Sequence, residues 1–306
     1  MTITDTSIAD TIVHDSRAMG SALRLVVVGG DDSTVNDILE RIGEIERLWS
    51  RFRDDSDIAR LNGARTRTTD VAPETIRLIE TMIEGHRATE GRFDPTLLVP
   101  IIEIGYGTSV DGRATAPIID LDLARRGSLL GIEVDQNAST IRLPAGTVLD
   151  PGGVGKGLAG DLITEEFVGR RCLGLLVSLG GDVVVAGQAP EGRGWTISIL
   201  DPTAHHEIDR VHLAHGSVAT SSAEIRVFER GHHLVDPDTL EATRSGVRSA
   251  SVVAGSGAWA EMLTKWLMVD GPRRLDDLDR LGIAANTVTH DGQTENDCWK
   301  RLAVAS

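Results

Sequence analysis

Apolar positions along this 306-residue chain follow two alternating rhythms, one of period two in short runs and one of period 3.6 over longer stretches. Ala22 to Val28 reads as a strand. Thr34 to Trp49 reads as an amphipathic helix, with Thr34 and Asp37 near its start and Ile38, Leu39, Ile42, Ile45, Leu48 and Trp49 on the apolar face. Residues 56 to 62 and 73 to 89 also predict helices, the second with Pro73 in its first turn and Ile76, Ile79 and Ile83 sharing a face. Further strands are expected at 140–143, 173–178, 183–186, 195–200, 224–228 and 249–254, and further helices at 156–168, 258–269 and 272–281. Asp291-Gly292 marks a hairpin turn. Strand pairs joined by short glycine turns and mixed with several helices point to an α+β fold of mixed or antiparallel sheets rather than a regular βαβ series. Residues 18 to 306 are expected to form one unit, since no Pro/Gly/Ser-rich linker divides them. Residues 1 to 17, rich in Thr, Ser and Asp, read as a disordered tail without the apolar core of a signal peptide, which suggests a cytoplasmic protein.

Composition narrows the function. A hydrophobic share of 41% is enough for a full core, and a net charge of −15 argues against broad nucleic-acid or anionic-membrane surfaces, which need basic patches. Any phosphate site must then be local. Cys172 and Cys298 form no C-x-x-C and read as small buried hydrophobes.

A candidate for that local site is Asp150 to Asp161, D-P-G-G-V-G-K-G-L-A-G-D, where a glycine-dense turn opens onto a helix carrying Lys156. Close backbone approach, a helix N-terminus and one ammonium together suit a phosphate or pyrophosphate. A P-loop is excluded, because Asp150 stands where its first Gly belongs and Gly157 where Ser or Thr follows the Lys. Gly155, Gly157 and Gly160 satisfy G-x-G-x-x-G with Asp182 some way downstream, but Asp182 follows the Gly180-Gly181 pair rather than ending a strand, so the dinucleotide fingerprint is a weak match. Three more polar groups stand out. S-L-G-G-D at 178–182 also fits a plain tight turn. V-A-T-S-S at 218–222 runs toward G-H-H-L-V-D-P at 231–237, without the G-x-S-x-G of a serine hydrolase; His233 there could be a base oriented by a loop carboxylate. Glu261 and Lys265 stand four residues apart on an otherwise apolar helix, either as a surface ion pair or as a partly buried one that needs a reason.

In this order the segments resemble the ApbE family, flavin transferases that take FMN from FAD and attach it through a phosphoester to a Thr or Ser of a target flavoprotein. The resemblance runs from Met19-Gly20-Ser21 through S-D-I-A-R-L-N at 56–62, G-R-F-D-P-T at 91–96, D-P-G-G-V-G-K-G at 150–157, S-L-G-G-D at 178–182, A-T-S-S at 219–222 and H-H-L-V-D-P at 232–237 to the helix from Ala260. It implies FAD as the bound dinucleotide, with Met19, Gly20, Phe93, Asp94, Pro95, Asp150, Gly152, Gly153, Lys156, Gly180, Gly181, Asp182, Ser221 and Leu234 around it. It implies His233 as the base that takes the acceptor proton, with Asp236 shaping its loop. It also implies an acceptor flavoprotein with a D-x-x-[ST]-[AG]-T motif, and leaves monomer or homodimer open. An FAD carrier without transfer, or a pyrophosphatase giving FMN and AMP, are the alternative readings.

The resemblance departs at the metal. Members of the family hold Mg²⁺ by a carbonyl in the glycine turn, here Gly153, and by an Asp and a Thr one helical turn apart. This chain has Glu261 and Lys265 there. Glu261 can coordinate Mg²⁺ but a protonated Lys265 cannot. Either Mg²⁺ binds in an altered way, or the Lys265 ammonium stands in its place, held by Glu261 and reaching the pyrophosphate.

Overall fold

The computed structural model describes residues 10–109, 112, 127–201, 203 and 206–303. In chain order, a hairpin of β1 (Thr11–Ala18) and β2 (Ser21–Val28) leads to α1 (Asp32–Trp49), α2 (Asp57–Gly63), β3 (Thr69–Asp70), α3 (Pro73–Ala88) and α4 (Leu98–Ile104). Short strands β4 (Glu133–Asp135) and β5 (Thr140–Arg142) follow, then a 3-10 turn at Pro151–Gly153 and α5 (Gly155–Phe167). Next come β6 (Gly174–Leu179), β7 (Asp182–Gly187), β8 (Trp195–Leu200), β9 (Glu207–Leu213), β10 (Gly216–Ser222), β11 (Val227–Phe228), β12 (Gly231–His232) and β13 (Val247–Ala254). The chain closes with α6 (Gly257–Asp270), α7 (Leu275–Arg280), the hairpin β14 (Ala284–Thr289) and β15 (Gly292–Glu295), and α8 (Asp297–Leu302).

Eight strands form the main sheet in the order β1-β2-β6-β7-β10-β13-β14-β15, and every neighbouring pair is antiparallel. The α+β expectation is met, and among the described residues there is no parallel sheet of the kind that a dinucleotide fingerprint requires. Helices α1 and α5 bury Ile38, Ile42, Ile45, Leu158 and Ile163 together with Leu23, Leu25, Leu175 and Val177 of the sheet. Helix α6 buries Leu263, Leu267 and Met268 with Ala250, Val252 and Ala285. The hairpin β8–β9 and α8 contribute Trp195, Ile197, Val211 and Trp299 to a separate core with Val28, Val185 and Val253. Antiparallel alternation explains how one sheet serves cores on both its faces, since successive side chains point to opposite faces.

Two expectations need correction. Thr11 to Arg17 are not tail but most of β1, paired residue for residue from Thr11↔Val28 to Ala18↔Ser21; of the expected tail, residues 1–9 lie outside the described residues. The polar composition of β1 concealed it, because an edge strand with one solvated face needs few apolar side chains. The expected strand at 224–228 shrinks to Val227–Phe228, because Ala223 to Arg226 turn and Arg226 adopts φ 57°.

Candidate active site

Two tight turns set one edge of the site. Met19-Gly20 closes the β1–β2 hairpin with φ of 49° and 67°, and Gly180-Gly181 closes β6–β7 with φ of 62° and 96°. Both are two-residue loops that need positive φ at both positions, which glycine supplies cheaply. Because β2 pairs with β6, and Gly180 N–H donates to Ala22 C=O at 2.8 Å, the two turns lie side by side. The antiparallel order brings the Thr220–Ser222 end of β10 to the same edge, where Thr220 N–H reaches the Asp182 carboxylate at 3.3 Å.

Two helices supply the floor. At their crossing, a Cβ on Gly157 would lie 2.2 Å from the Gly257 carbonyl oxygen, so α5 and α6 meet backbone to backbone. Gly160 is equally constrained, its Cβ position 2.5 Å from Val184. These glycines therefore serve packing, where the sequence suggested room for an anion. Asp161 fastens the crossing by accepting from Gly257 N–H at 2.6 Å and Ala258 N–H at 3.0 Å, capping the start of α6. Burial pushes its carboxyl up to about 6 against those two hydrogen bonds. The close crossing carries Glu261, fully buried, against the first turn of α5, and its Oε2 accepts from Gly157 N–H at 2.9 Å. The anion capping that helix is thus a side chain of the protein itself, and of the two readings of the Glu261 and Lys265 pair the structure has the partly buried one.

A four-charge cluster results. Lys156 Nζ donates to Asp182 at 2.5 Å and to Oε1 of Glu261. Lys265 Nζ stands 3.6 Å from the same Oε1. Burial disfavours the Lys156 ammonium, but the carboxylates of Asp182 and Glu261 outweigh it and raise its pKa. Burial likewise works against the Glu261 carboxylate, and Lys156 and Lys265 overcome it, holding Glu261 below the usual range. Asp182 and Lys265 go the other way. Burial raises Asp182 despite Lys156, and burial lowers Lys265 despite Glu261. Lys265 is thus the less firmly neutralised of the two lysines. Nearby, Ser221 and Thr264 hydroxyls share a hydrogen bond of 2.6 Å.

Above this floor the cleft has two compartments. One, of about 150 Å³, is lined by Phe93, Asp94, Pro95, Gly153, Gly180, Asp182, Ser221, His233, Leu234 and Lys265. The other, of about 610 Å³, is lined by Met19, Gly20, Trp49, Arg51 and Phe52. Tyr106, Asp150, Gly152, Lys156 and Arg226 border both. Small-molecule sites commonly occupy about 300–1,000 Å³, so the smaller compartment cannot hold a dinucleotide alone, and the residues that border both leave room for a ligand to extend from one into the other. Of the residues expected around FAD, only Gly181 lines neither compartment. Asp94 accepts from Thr96 N–H and Oγ1–H, and Asp150 N–H donates to Pro95 C=O at 2.8 Å, which joins the two loops. Asp150 also caps the 3-10 turn through Gly152 N–H and pairs with Arg51 at 3.5 Å.

His233 borders the first compartment with its Nδ1 buried and, among the described residues, without a hydrogen-bond partner. Burial, then Arg226, Lys265, His232 and Lys156, lower its pKa to about 3, so the free site presents a neutral imidazole. Among the described residues no carboxylate orients it: Asp236 accepts from Asp238 N–H and lies 3.9 Å from Arg92, while neighbouring His232 is the ring held by Leu234 N–H and Thr243 C=O.

Sequence reasoning missed a stack beside the shared wall. The Arg51 guanidinium lies 4.3 Å from the Phe52 ring centre and 4.5 Å from that of Tyr106, and Tyr106 stacks on Phe228 at 5.3 Å. Arg226 covers Tyr106 at 5.4 Å. The available signal was weak: R-F-R just before Ser56, and the chain's single Tyr between two glycines. Among the described residues, no group of three or more His, Cys, Asp or Glu could hold a metal ion, and no helix is long and apolar enough to cross a membrane.

Known proteins resemble this chain in sequence and in fold. The sequence model of the ApbE family matches residues 19–285. An FAD:protein FMN transferase of Klebsiella pneumoniae is 27% identical over 304 residues, covering 92% of this chain and 85% of that protein. That of Escherichia coli K12 is 24% identical over 311 residues, covering 94% and 87%. In structure, the ApbE protein of Thermotoga maritima superposes with a TM-score of 0.83 at 24% identity, over 97% of this chain and 100% of that one. The flavin transferase ApbE of Vibrio cholerae gives 0.80 at 20% identity, over 96% and 99%.

Proposed function

The chain belongs to the ApbE family, and from that premise we propose that it is an FAD:protein FMN transferase working in the cleft between the β1–β2 turn and α6. The observation that carries the reading is convergence: two lysines and an unpartnered neutral imidazole border one compartment of a cleft whose other compartment is ring-lined. In the reaction the acceptor hydroxyl oxygen attacks the FMN-side phosphorus of FAD, the P–O bond to AMP breaks, and AMP leaves with the bridging oxygen. The hydroxyl proton passes to neutral His233. Catalysis of this kind is mostly positioning and charge neutralisation, and the role given to Lys156, which Asp182 and Glu261 hold at the edge of both compartments, is to meet the pyrophosphate. The acceptor is a flavoprotein segment with a Thr or Ser in a D-x-x-[ST]-[AG]-T motif, entering over His233 and Leu234.

Mg²⁺ at the Gly153 carbonyl and the 261/265 pair does not fit these residues. Glu261 gives Oε1 to Lys156 and Oε2 to the Gly157 amide, and position 265 is an ammonium, which has no lone pair for a metal. No step here runs through a metal.

The test is incubation of the chain with FAD and an acceptor domain bearing that motif, read as flavin fluorescence on the denatured acceptor. Native chain gives a fluorescent band, and His233→Ala gives one formed about 10²–10⁴-fold more slowly, the range for losing a general base. A native chain that binds FAD and labels nothing would overturn the reading.

A further inference from the structure

Lys265 is an ammonium with donors to spare. Its side chain is only 17% exposed, and the sole partner found for it among the described residues is Glu261 Oε1, at 3.6 Å, beyond ordinary hydrogen-bond length. That oxygen already accepts from Lys156, whose second bond goes to Asp182. Lys265 therefore has three N–H donors, little water and a carboxylate engaged elsewhere. An ammonium so placed wants an anion.

Its position names the anion. Lys265 lines the smaller compartment with Gly153, Lys156, Asp182 and His233. Its Cε lies 3.5 Å from where a Cβ on Gly153 would be, so the side chain runs along the glycine-rich turn that reaches the shared wall at Gly152. Oε1 of Glu261 is the oxygen that both ammoniums approach, so one buried carboxylate gathers the two lysines beside the smaller compartment.

We propose that the Lys265 ammonium, with Lys156 at the same Glu261 carboxylate, is the counter-ion of the FAD pyrophosphate and takes the place of a divalent cation, so that this chain binds and uses FAD without metal. The proposal rests on the transferase reading for its ligand. As the P–O bond to AMP breaks, negative charge collects on the departing phosphate, and Lys265 neutralises it without transferring a proton. Glu261 is a positioning residue, aligning both ammoniums rather than binding metal.

The experiment is titration of the native chain with FAD by calorimetry, in EDTA and in excess Mg²⁺, with Mn²⁺ as an electron paramagnetic resonance probe in parallel. Equal affinity in both buffers and no bound Mn²⁺ with or without FAD is the expected result. Lys265→Met, checked for folding by circular dichroism, should lose about tenfold or more in FAD affinity, unrecovered by Mg²⁺. Lys265→Thr removes the ammonium and leaves a possible oxygen ligand, so its weakened binding should improve with Mg²⁺. Loss of native FAD binding in EDTA, or Mn²⁺ bound stoichiometrically to the native chain, would overturn the proposal. A native chain that ignores FAD in both buffers sinks the transferase reading instead, and the proposal with it. FAD bound in EDTA without labelling of an acceptor leaves the ammonium claim standing and removes only transfer.

Discussion

At the scale of single residues, the cleft depends on side chains whose charge state follows from burial. His233 is the sharpest case. With its pKa lowered to about 3 by burial and by Arg226 and Lys265, it should stay neutral at pH 5, where exposed histidines of ordinary pKa are protonated. Imidazole ¹⁵N NMR of the free chain checks this, and a His233 signal titrating near 6.5 would contradict it. The linkage has a definite sign. Because the folded pKa lies below the unfolded one, the unfolded chain takes up the proton first, so stability is lost as pH falls from about 6.5 toward 3. His233→Phe should flatten that part of the pH–stability curve in denaturant titrations. The sequence could name His233, Lys156, Asp182 and Lys265, because each sits in a short motif of unusual composition. It could not give their contacts: Glu261 lies 105 residues from Lys156 and Asp182 lies 26, and nothing local records that one ammonium bridges them.

At the scale of elements, the crossing of α5 and α6 holds the charge cluster together. Gly157→Ala would place a methyl 2.2 Å from the Gly257 carbonyl, an overlap with backbone that no rotamer relieves. A loss of about 3 kcal/mol or more in unfolding free energy is expected, with weakened FAD binding because Glu261 is carried away from Lys156. An unchanged melting temperature would show that the helices are not so tightly joined. Asp161→Ala leaves the Gly257 and Ala258 amides without their acceptor and should cost about 2–4 kcal/mol. Asp161→Asn should cost less, since it keeps an acceptor and removes a buried charge. The raised Asp161 carboxyl sets its own pH trend: the folded chain holds that proton more tightly, so this contribution to stability is largest below pH 3.8 and fades as pH rises through 6. Long periodic elements such as α1, and alternating ones such as β8, were legible to within two residues, because burial of one face fixes them. Edge strand β1 was not legible, since its partner supplies what its sequence lacks.

At the scale of the whole molecule, the antiparallel order of the main sheet gathers four distant segments at one edge. The two hairpin turns, the end of β10 and the start of α5 meet there although they span residues 19 to 222. The α+β class could be read from hairpin signals; the strand order could not, because β9 and much of β10 carry too many polar residues to announce themselves. The Arg51–Phe52–Tyr106–Arg226 stack was likewise invisible, being assembled from three loops. A ligand that spans both compartments ties these segments together, so saturating FAD at a hundred times its dissociation constant should add about 2.7 kcal/mol to stability, seen as a higher melting temperature. The central claim is transfer itself, and tandem mass spectrometry of an acceptor domain after incubation with the chain and FAD, with AMP quantified in the same sample, tests it most directly. A transferase leaves FMN on the motif Thr or Ser and one AMP for each labelled acceptor; AMP released while the acceptor stays unmodified would make the chain a pyrophosphatase instead.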